Sequence, residues 1–250
     1  MQRYFIDQQF KEGSPIIIDG ENFHHIVRVM RMTEDSMFYV GFLDGESAKV
    51  KIETISNDCL QAGIVQWESD EKEMPVKITI ASGLPKGDKL ELIIQKGTEL
   101  GAVEFVPFTA DRSIVKWDEK KAKKKVERWG KIAKEAAEQS HRQQVPIVHS
   151  PVSLKKLVSF AGDYEYKIVA FEEDAKLGEQ SNLAGVLKAA KPGDRILAVF
   201  GPEGGLTEKE VDTLKENGFL SCGLGPRIMR AETAPFYLLS AASYQFELMR

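Results

Sequence analysis

Sulfur chemistry is scarce in this chain of 250 residues, which holds only two cysteines. Cys59 and Cys222 each stand in an apolar, strand-like stretch with no C-x-x-C and no histidine at ligand spacing. A disulfide framework and a cysteine-built zinc site are therefore excluded, and buried structural thiols are expected. The four histidines lack metal-site spacing as well, so no metal is expected. No segment approaches the roughly 20 apolar residues that span a bilayer. The start, Met1-Gln2-Arg3-Tyr4-Phe5-Ile6, has no charged beginning, long apolar core or small-residue cleavage site. These absences lead to the expectation of a cytoplasmic protein with no membrane partner.

Strong net charge is also missing. The formal balance is −4, with 42% hydrophobic and 29% charged residues, an ordinary globular composition for one large domain or two small ones. The average conceals a basic stripe. From Lys116 to Lys134 nine Lys/Arg face three acidic residues, a local balance of +6 that leaves −10 on the remainder. Nucleic acid responds to local patches rather than to the total, and Lys121, Lys124, Arg128 and Lys131 are the candidates for phosphate contact. A merely solvated helix face is the competing reading.

Residues 1 to about 70 read as short strands punctuated by Gly and Asp: 15–20, 36–41, 48–52 and 59–65, with Asp44-Gly45 as a hairpin turn. One helix interrupts them near 21–30, carrying Phe23, Ile26, Val27 and Met30 on one face. A small β-barrel is expected, followed by a linker-like run at 68–73 and Pro75. Beyond it strands and helices alternate. Strands are expected at 76–81, 103–106, 145–149, 166–171, 195–200 and 219–224. Helices are expected at 89–100, closed by Gly101, and at 118–140, with Ala122, Val126, Trp129, Ala133 and Ala136 as the buried stripe. Thr207-Glu208-Lys209-Glu210 has capping-box spacing for a helix that stops at Gly218. A last helix, from Glu232 or Ala234 to Met249, is apolar on most sides and calls for burial against another surface. Such alternation implies a mostly parallel sheet covered on both faces. The domains are accordingly 1–72 and 73–250.

Two glycine-bearing strand ends carry the chemistry. Val199-Phe200-Gly201-Pro202-Glu203-Gly204-Gly205 and Leu224-Gly225-Pro226-Arg227-Ile228-Met229-Arg230 each leave an apolar run and lead through Gly and Pro toward a helix, which is how an α/β protein builds a crevice at the carboxyl ends of its strands. Neither fits G-x-G-x-x-G or G-x-x-x-x-G-K-[ST], so the dinucleotide and P-loop readings fail on spacing. Glycine lets backbone approach a ligand, and Pro202 fixes the turn. A tight connection with no ligand is the plain alternative for the first segment. In the second, Ile228 and Met229 are bulky apolar residues in a loop, where they either wall a planar ligand or pack into the core.

Together these segments resemble the cofactor loops of the SPOUT class of S-adenosylmethionine-dependent RNA methyltransferases, and within it the family that methylates N3 of a uridine in 16S ribosomal RNA. Three further stretches carry the same resemblance in order: His25 to Arg31, Lys89 to Gly101, and Arg128 to Arg142. It covers nearly the whole chain. The resemblance implies an α/β fold with a PUA-like N-terminal barrel and a mostly parallel trefoil-knot domain. It also implies a homodimer with active sites at the subunit interface, and a target in the small ribosomal subunit, uridine 1498 of the decoding region. Knots are exceptions to chain-threading rules, and pattern reasoning alone does not propose one. S-adenosylmethionine would then meet Phe200, Gly201, Pro202, Glu203, Gly204, Leu224, Gly225, Ile228, Met229, Thr233 and Ala234.

Methylating uridine N3 needs an exposed base, aligned atoms and an easier loss of a weakly acidic proton. Arg230 is the candidate for stabilising charge on a uracil oxygen. Glu232 is the candidate for accepting a proton or anchoring the methionine amine, with a salt bridge or helix cap as the other reading. His24-His25 reads as packing and solvent contact. Arg3, Arg28, Arg31 and Arg142 suit phosphate contact, with solvated surface as the alternative. Two other functions remain open at this point: a SPOUT ribose 2′-O-methyltransferase of tRNA or rRNA, and a non-catalytic RNA-binding assembly factor.

Overall fold

Alternating apolar residues and close-spaced turns give the N-terminal region its sheet. The computed structural model describes residues 1–113, 119–171 and 181–249, and these form two units, 1–73 with 137–145 and 74–136 with 146–249. Lys116 and Asp118 of the basic stripe lie outside the described residues.

In the first unit β1 (Arg3–Phe5), β2 (Ile16–Asp19), β3 (Met37–Gly41), β4 (Ser47–Ile55) and β5 (Cys59–Trp67) form one sheet in the order β1-β3-β4-β5-β2. Only β1 and β3 run parallel. Register shifts at Lys49/Val50 and Ile52/Thr54 mark bulges, which bend a strand and help a sheet curl. Along β2, Ile16 and Ile18 point into the core while Ile17 and Asp19 face out; Phe38, Val40, Val50, Ile52 and Leu60 complete that core. The expected single helix is α1 (Gly20–Phe23), which continues as a π-helical stretch His24–Val29. Phe23 and Ile26 are its buried contacts, while Met30 is exposed.

Two arginines expected at phosphate are placed elsewhere. Arg3, in β1, is 1% exposed; its Nη1 donates to Ser47 Oγ at 2.6 Å and its Nη2 pairs with Glu68. Arg142, 4% exposed, pairs with Glu73. A buried guanidinium needs a partner before it can be taken out of water, and for both the partner is an internal carboxylate. Arg28 and Arg31 are exposed, Arg31 with a positive φ of 54°.

The second unit is a parallel sheet, as its continuous apolar strands demand. Its strands are β6 (Lys77–Gly83), β7 (Glu104–Thr109), β8 (Ile147–Val148), β9 (Val152–Ser153), β10 (Tyr166–Ala170), β11 (Arg195–Phe200) and β12 (Leu220–Cys222). They lie in the order β12-β10-β11-β6-β7-β8, with β9 also on β7. The expected strand ends at Val106, yet β7 runs through Pro107 to Thr109. Its outer neighbour is interrupted between β8, opposite Glu104 and Phe105, and β9, opposite Phe108 and Thr109, so the missing N–H of Pro107 costs no ladder bond on that side.

The helices are α2 (Lys89–Glu99), α3 (Glu119–Gln139), α4 (Leu154–Phe160), α5 (Asn182–Ala189), α6 (Glu208–Glu216) and α7 (Thr233–Ser243), the last continuing as a π-turn, Tyr244–Leu248. On α3 Trp129, Ala133 and Ala136 are buried as expected, while Ala122 and Val126 are half-buried. α6 carries the complete capping box, Thr207 accepting from the Glu210 N–H and the Glu210 carboxylate accepting from the Thr207 N–H. α2 and α7 pack together, close enough that a Cβ on Gly97 would meet Phe105 and Leu239.

Candidate active site

Strand order reverses around β6, where β7 lies on one side and β11 on the other, and crevices in such sheets form beyond the carboxyl ends of the strands. A cleft of about 420 Å³ opens there, within the size range of small-molecule sites. The loop after β11 contributes Gly201 to Leu206, β10 ends in it with Ala170 and Phe171, and Ile228, Met229 and Ala234 close it from the loop after β12. An adjoining cavity of about 100 Å³ is lined by Leu224 and Gly225 together with Ile228, Met229 and Ala234. Phe200, Gly201, Pro202, Glu203 and Gly204 thus come together with Leu224, Gly225, Ile228, Met229 and Ala234. Thr233, Arg230 and Glu232 line neither cavity.

Backbone geometry makes the first loop tight. A Cβ on Gly201 would lie 2.9 Å from the Leu206 nitrogen and 3.0 Å from the Gly205 carbonyl carbon, so this glycine serves the fold of its own loop. Gly83, at the end of β6, is equally constrained, with the Pro202 ring 2.5 Å from the position a Cβ would take. Gly205 and Gly225 have φ of 69° and 90°, the left-handed region that glycine enters without strain. Core packing fails as a reading of Ile228, which is 75% exposed.

Charged groups join the loops. Lys89, the first residue of α2, has its Nζ 2.9 Å from Glu203 Oε1 and 3.3 Å from Glu232 Oε2. The Lys86 N–H donates to Glu203 Oε1 at 3.1 Å. Burial alone would raise the Glu203 pKa, but hydrogen bonds from Lys89 and from backbone N–H groups carry it below the usual carboxylate value; the bond to Glu203 in turn raises that of Lys89. The longer contact with Glu232 raises the Lys89 pKa as well, and Glu232 Oε2 is buried with no partner other than Lys89 among the described residues. Glu232 also occupies the N-cap position of α7, yet its side chain makes no capping bond. Of the two structural alternatives the salt bridge is therefore the one present. Arg230 is exposed, and its carbonyl accepts from the Thr233 and Ala234 N–H groups.

Sequence reasoning missed Arg112 and Lys89 at this site. Arg112 follows β7 and its Nη1 donates to the Gly204 carbonyl at 2.9 Å; the only available signal was its place beyond a strand end. Of the basic stripe, Lys121, Lys124, Arg128 and Lys131 are exposed on α3. Arg128, at 2.7 Å, and Lys125, at 3.2 Å, pair with Glu91 of α2, which is 9% exposed. Part of the stripe's charge is therefore already met by a carboxylate.

A chain that carries a glycine-built cleft at the carboxyl ends of a parallel sheet, and a separate curled sheet, has counterparts among known proteins. The family described as the RNA methyltransferase domain matches residues 72–243, and the RNA methyltransferase PUA domain matches residues 18–65. These matches define the class, RNA methyltransferases with a PUA-like domain. The chain is 53% identical over 253 residues to the ribosomal RNA small subunit methyltransferase E of Bacillus subtilis, covering 100% of this chain and 99% of that protein. It is 34% identical to the protein of that name from Synechocystis, over 87% of this chain and 69% of that one. The crystal structure of the Neisseria gonorrhoeae ribosomal RNA small subunit methyltransferase E bound to S-adenosyl methionine superposes with a TM-score of 0.84 at 26% identity, covering 98% of each chain. The chain belongs to the ribosomal RNA small subunit methyltransferase E family. Its PUA-like barrel and mostly parallel α/β sheet are the fold class the sequence resemblance implied.

Proposed function

We propose that this protein uses S-adenosylmethionine to methylate N3 of a uridine in 16S ribosomal RNA, at uridine 1498 of the small subunit's decoding region. A full-length relative named for small-subunit rRNA methylation and a superposable relative bound to S-adenosyl methionine support the cofactor and the RNA class. The residues present fit that cofactor. Two glycine-bearing loops bring backbone against a cleft of suitable volume, and the buried Glu232 oxygen of the second loop meets no partner other than Lys89 among the described residues. Phe200 to Gly204 and Leu224, Gly225, Ile228, Met229, Thr233 and Ala234 would hold it.

The cofactor supplies a methyl group on a sulfonium, a good leaving group that needs no metal. The buried Glu232 oxygen, beside the Lys89 ammonium, carries the rest of the reading. As an acceptor it takes the N3 proton while the new N–CH₃ bond forms, and exposed Arg230, two residues away, counters charge on a uracil oxygen. Residues 1–72 serve as the RNA-binding domain, with Arg28 and Arg31 at phosphate, and residues 73–250 as the knotted methyltransferase domain, with the α3 stripe adding charge. The protein works in the cytoplasm as a homodimer. Pro235, Leu238, Leu239 and Ala242 of α7 are buried, whereas Tyr237, Tyr244 and Leu248 remain exposed and suit a second copy. Digesting methylated rRNA to nucleosides and weighing the products tests the assignment: N3-methyluridine is expected, and a ribose methyl would replace this reading with a 2′-O-methyltransferase.

A further inference from the structure

We infer that Lys89 is a positioning residue that ties the two loops of the site together and aims the Glu232 carboxylate. Three chain segments meet at its ammonium: the start of α2, the loop after β11 through Glu203, and the start of α7 through Glu232. Helix stability does not explain a lysine there, because a cation in the first turn opposes the helix dipole. Two carboxylates offset that cost.

The platform beneath Lys89 is fixed. α2 packs on α7 and is pressed against the sheet at Gly97, so the lysine projects from a firm base. Glu203 is held twice, by Lys89 and by the Lys86 N–H. Among the described residues the Glu232 carboxylate pairs with Lys89 alone, and it makes no capping bond. Both carboxylates lie within 3.3 Å of one ammonium, so removing the lysine leaves like charges facing each other across the site. The second loop would then lose its charge tether to the first.

The inference rests on the placement of Glu232 beside the chemistry, and the test separates the two. Full-length Lys89→Met and Lys89→Arg chains are compared for S-adenosylmethionine affinity by calorimetry and for single-turnover methyl incorporation into rRNA at saturating cofactor. Partly exposed ion pairs are worth up to about fivefold each in an equilibrium. Lys89→Met should weaken affinity about fivefold and slow the saturated rate about tenfold, with Lys89→Arg restoring most of both. In a Glu232→Gln background the rate effect of Lys89→Met should largely vanish, since coupled residues are non-additive. Lys89→Gln serves if the Met variant does not fold. Additive effects, failure of arginine to rescue, or unchanged affinity and rate in a folded variant would overturn the inference. Methyl found on ribose instead of N3 would defeat the uridine-N3 reading while leaving the Lys89 effects to be judged on their own.

Discussion

Gly201→Ala adds one methyl group and tests the first loop with little else disturbed. The new Cβ would sit 2.9 Å from the Leu206 nitrogen, 3.0 Å from the Gly205 carbonyl carbon and 3.1 Å from its Cα, where ordinary contact begins near 3.4 Å. All three neighbours are backbone and none can rotate aside, so the 201–206 turn must open by about half an ångström. Overpacking of this kind costs about 1–3 kcal/mol. If the turn is shaped for S-adenosylmethionine and the loop yields by distorting the site, affinity falls by about five- to 150-fold at roughly 1.4 kcal/mol per tenfold. Calorimetry on the full chain measures the loss, with thermal melting to show that the fold persists. Gly162→Ala is the control, because nothing lies within 4 Å of its added Cβ. A folded Gly201→Ala chain with unchanged affinity would remove this loop from the site. Gly201 is thus held by its own loop rather than by ligand approach, because the added methyl collides with the backbone of Gly205 and Leu206.

Glu68→Ala strands the buried Arg3 guanidinium and should destabilise the N-terminal unit by ~3–5 kcal/mol in denaturant unfolding. Burial raises the Glu68 pKa, but hydrogen bonds from Arg3, Lys72 and Ser47 bring it below the usual value. The wild-type advantage should thus be complete at neutral pH and fade only as acid takes the pH down through that lowered pKa. Replacing Lys121, Lys124, Arg128 and Lys131 together should weaken rRNA binding and flatten its salt dependence while sparing cofactor affinity. Arg230→Ala should instead slow single turnover at saturating RNA; a variant that only needs more RNA would show that its role was misassigned. Light scattering at micromolar concentration should report about twice the chain mass, and a fully active monomer would contradict a shared active site.

Long periodic elements were legible in the sequence, because burial of one face leaves a repeating trace. The α3 stripe, the Thr207 capping box and the strand at 195–200 stand where the pattern puts them. Some short elements were not: β1 has three residues and β9 two, too few for a period to show, whereas β8 falls within the strand expected at 145–149. The two loops were readable because glycine and proline report backbone demands locally. Lys89 and Arg112 were not readable as site residues, since a charge on a helix face or in a loop looks solvated until folding brings its partner near. Arg3 and Arg142 failed the opposite way. Their partners, Glu68 and Glu73, lie about 65 and 69 residues away in the chain, and no local pattern announces such pairs.

The central claim is tested most directly by supplying the purified protein and S-adenosylmethionine with small ribosomal subunits that lack the modification, in parallel with naked 16S rRNA. The RNA is digested to nucleosides and weighed. The account predicts a single new N3-methyluridine per acceptor RNA, abolished by Gly201→Val; methyl recovered only on ribose, or none transferred to either substrate, would contradict it.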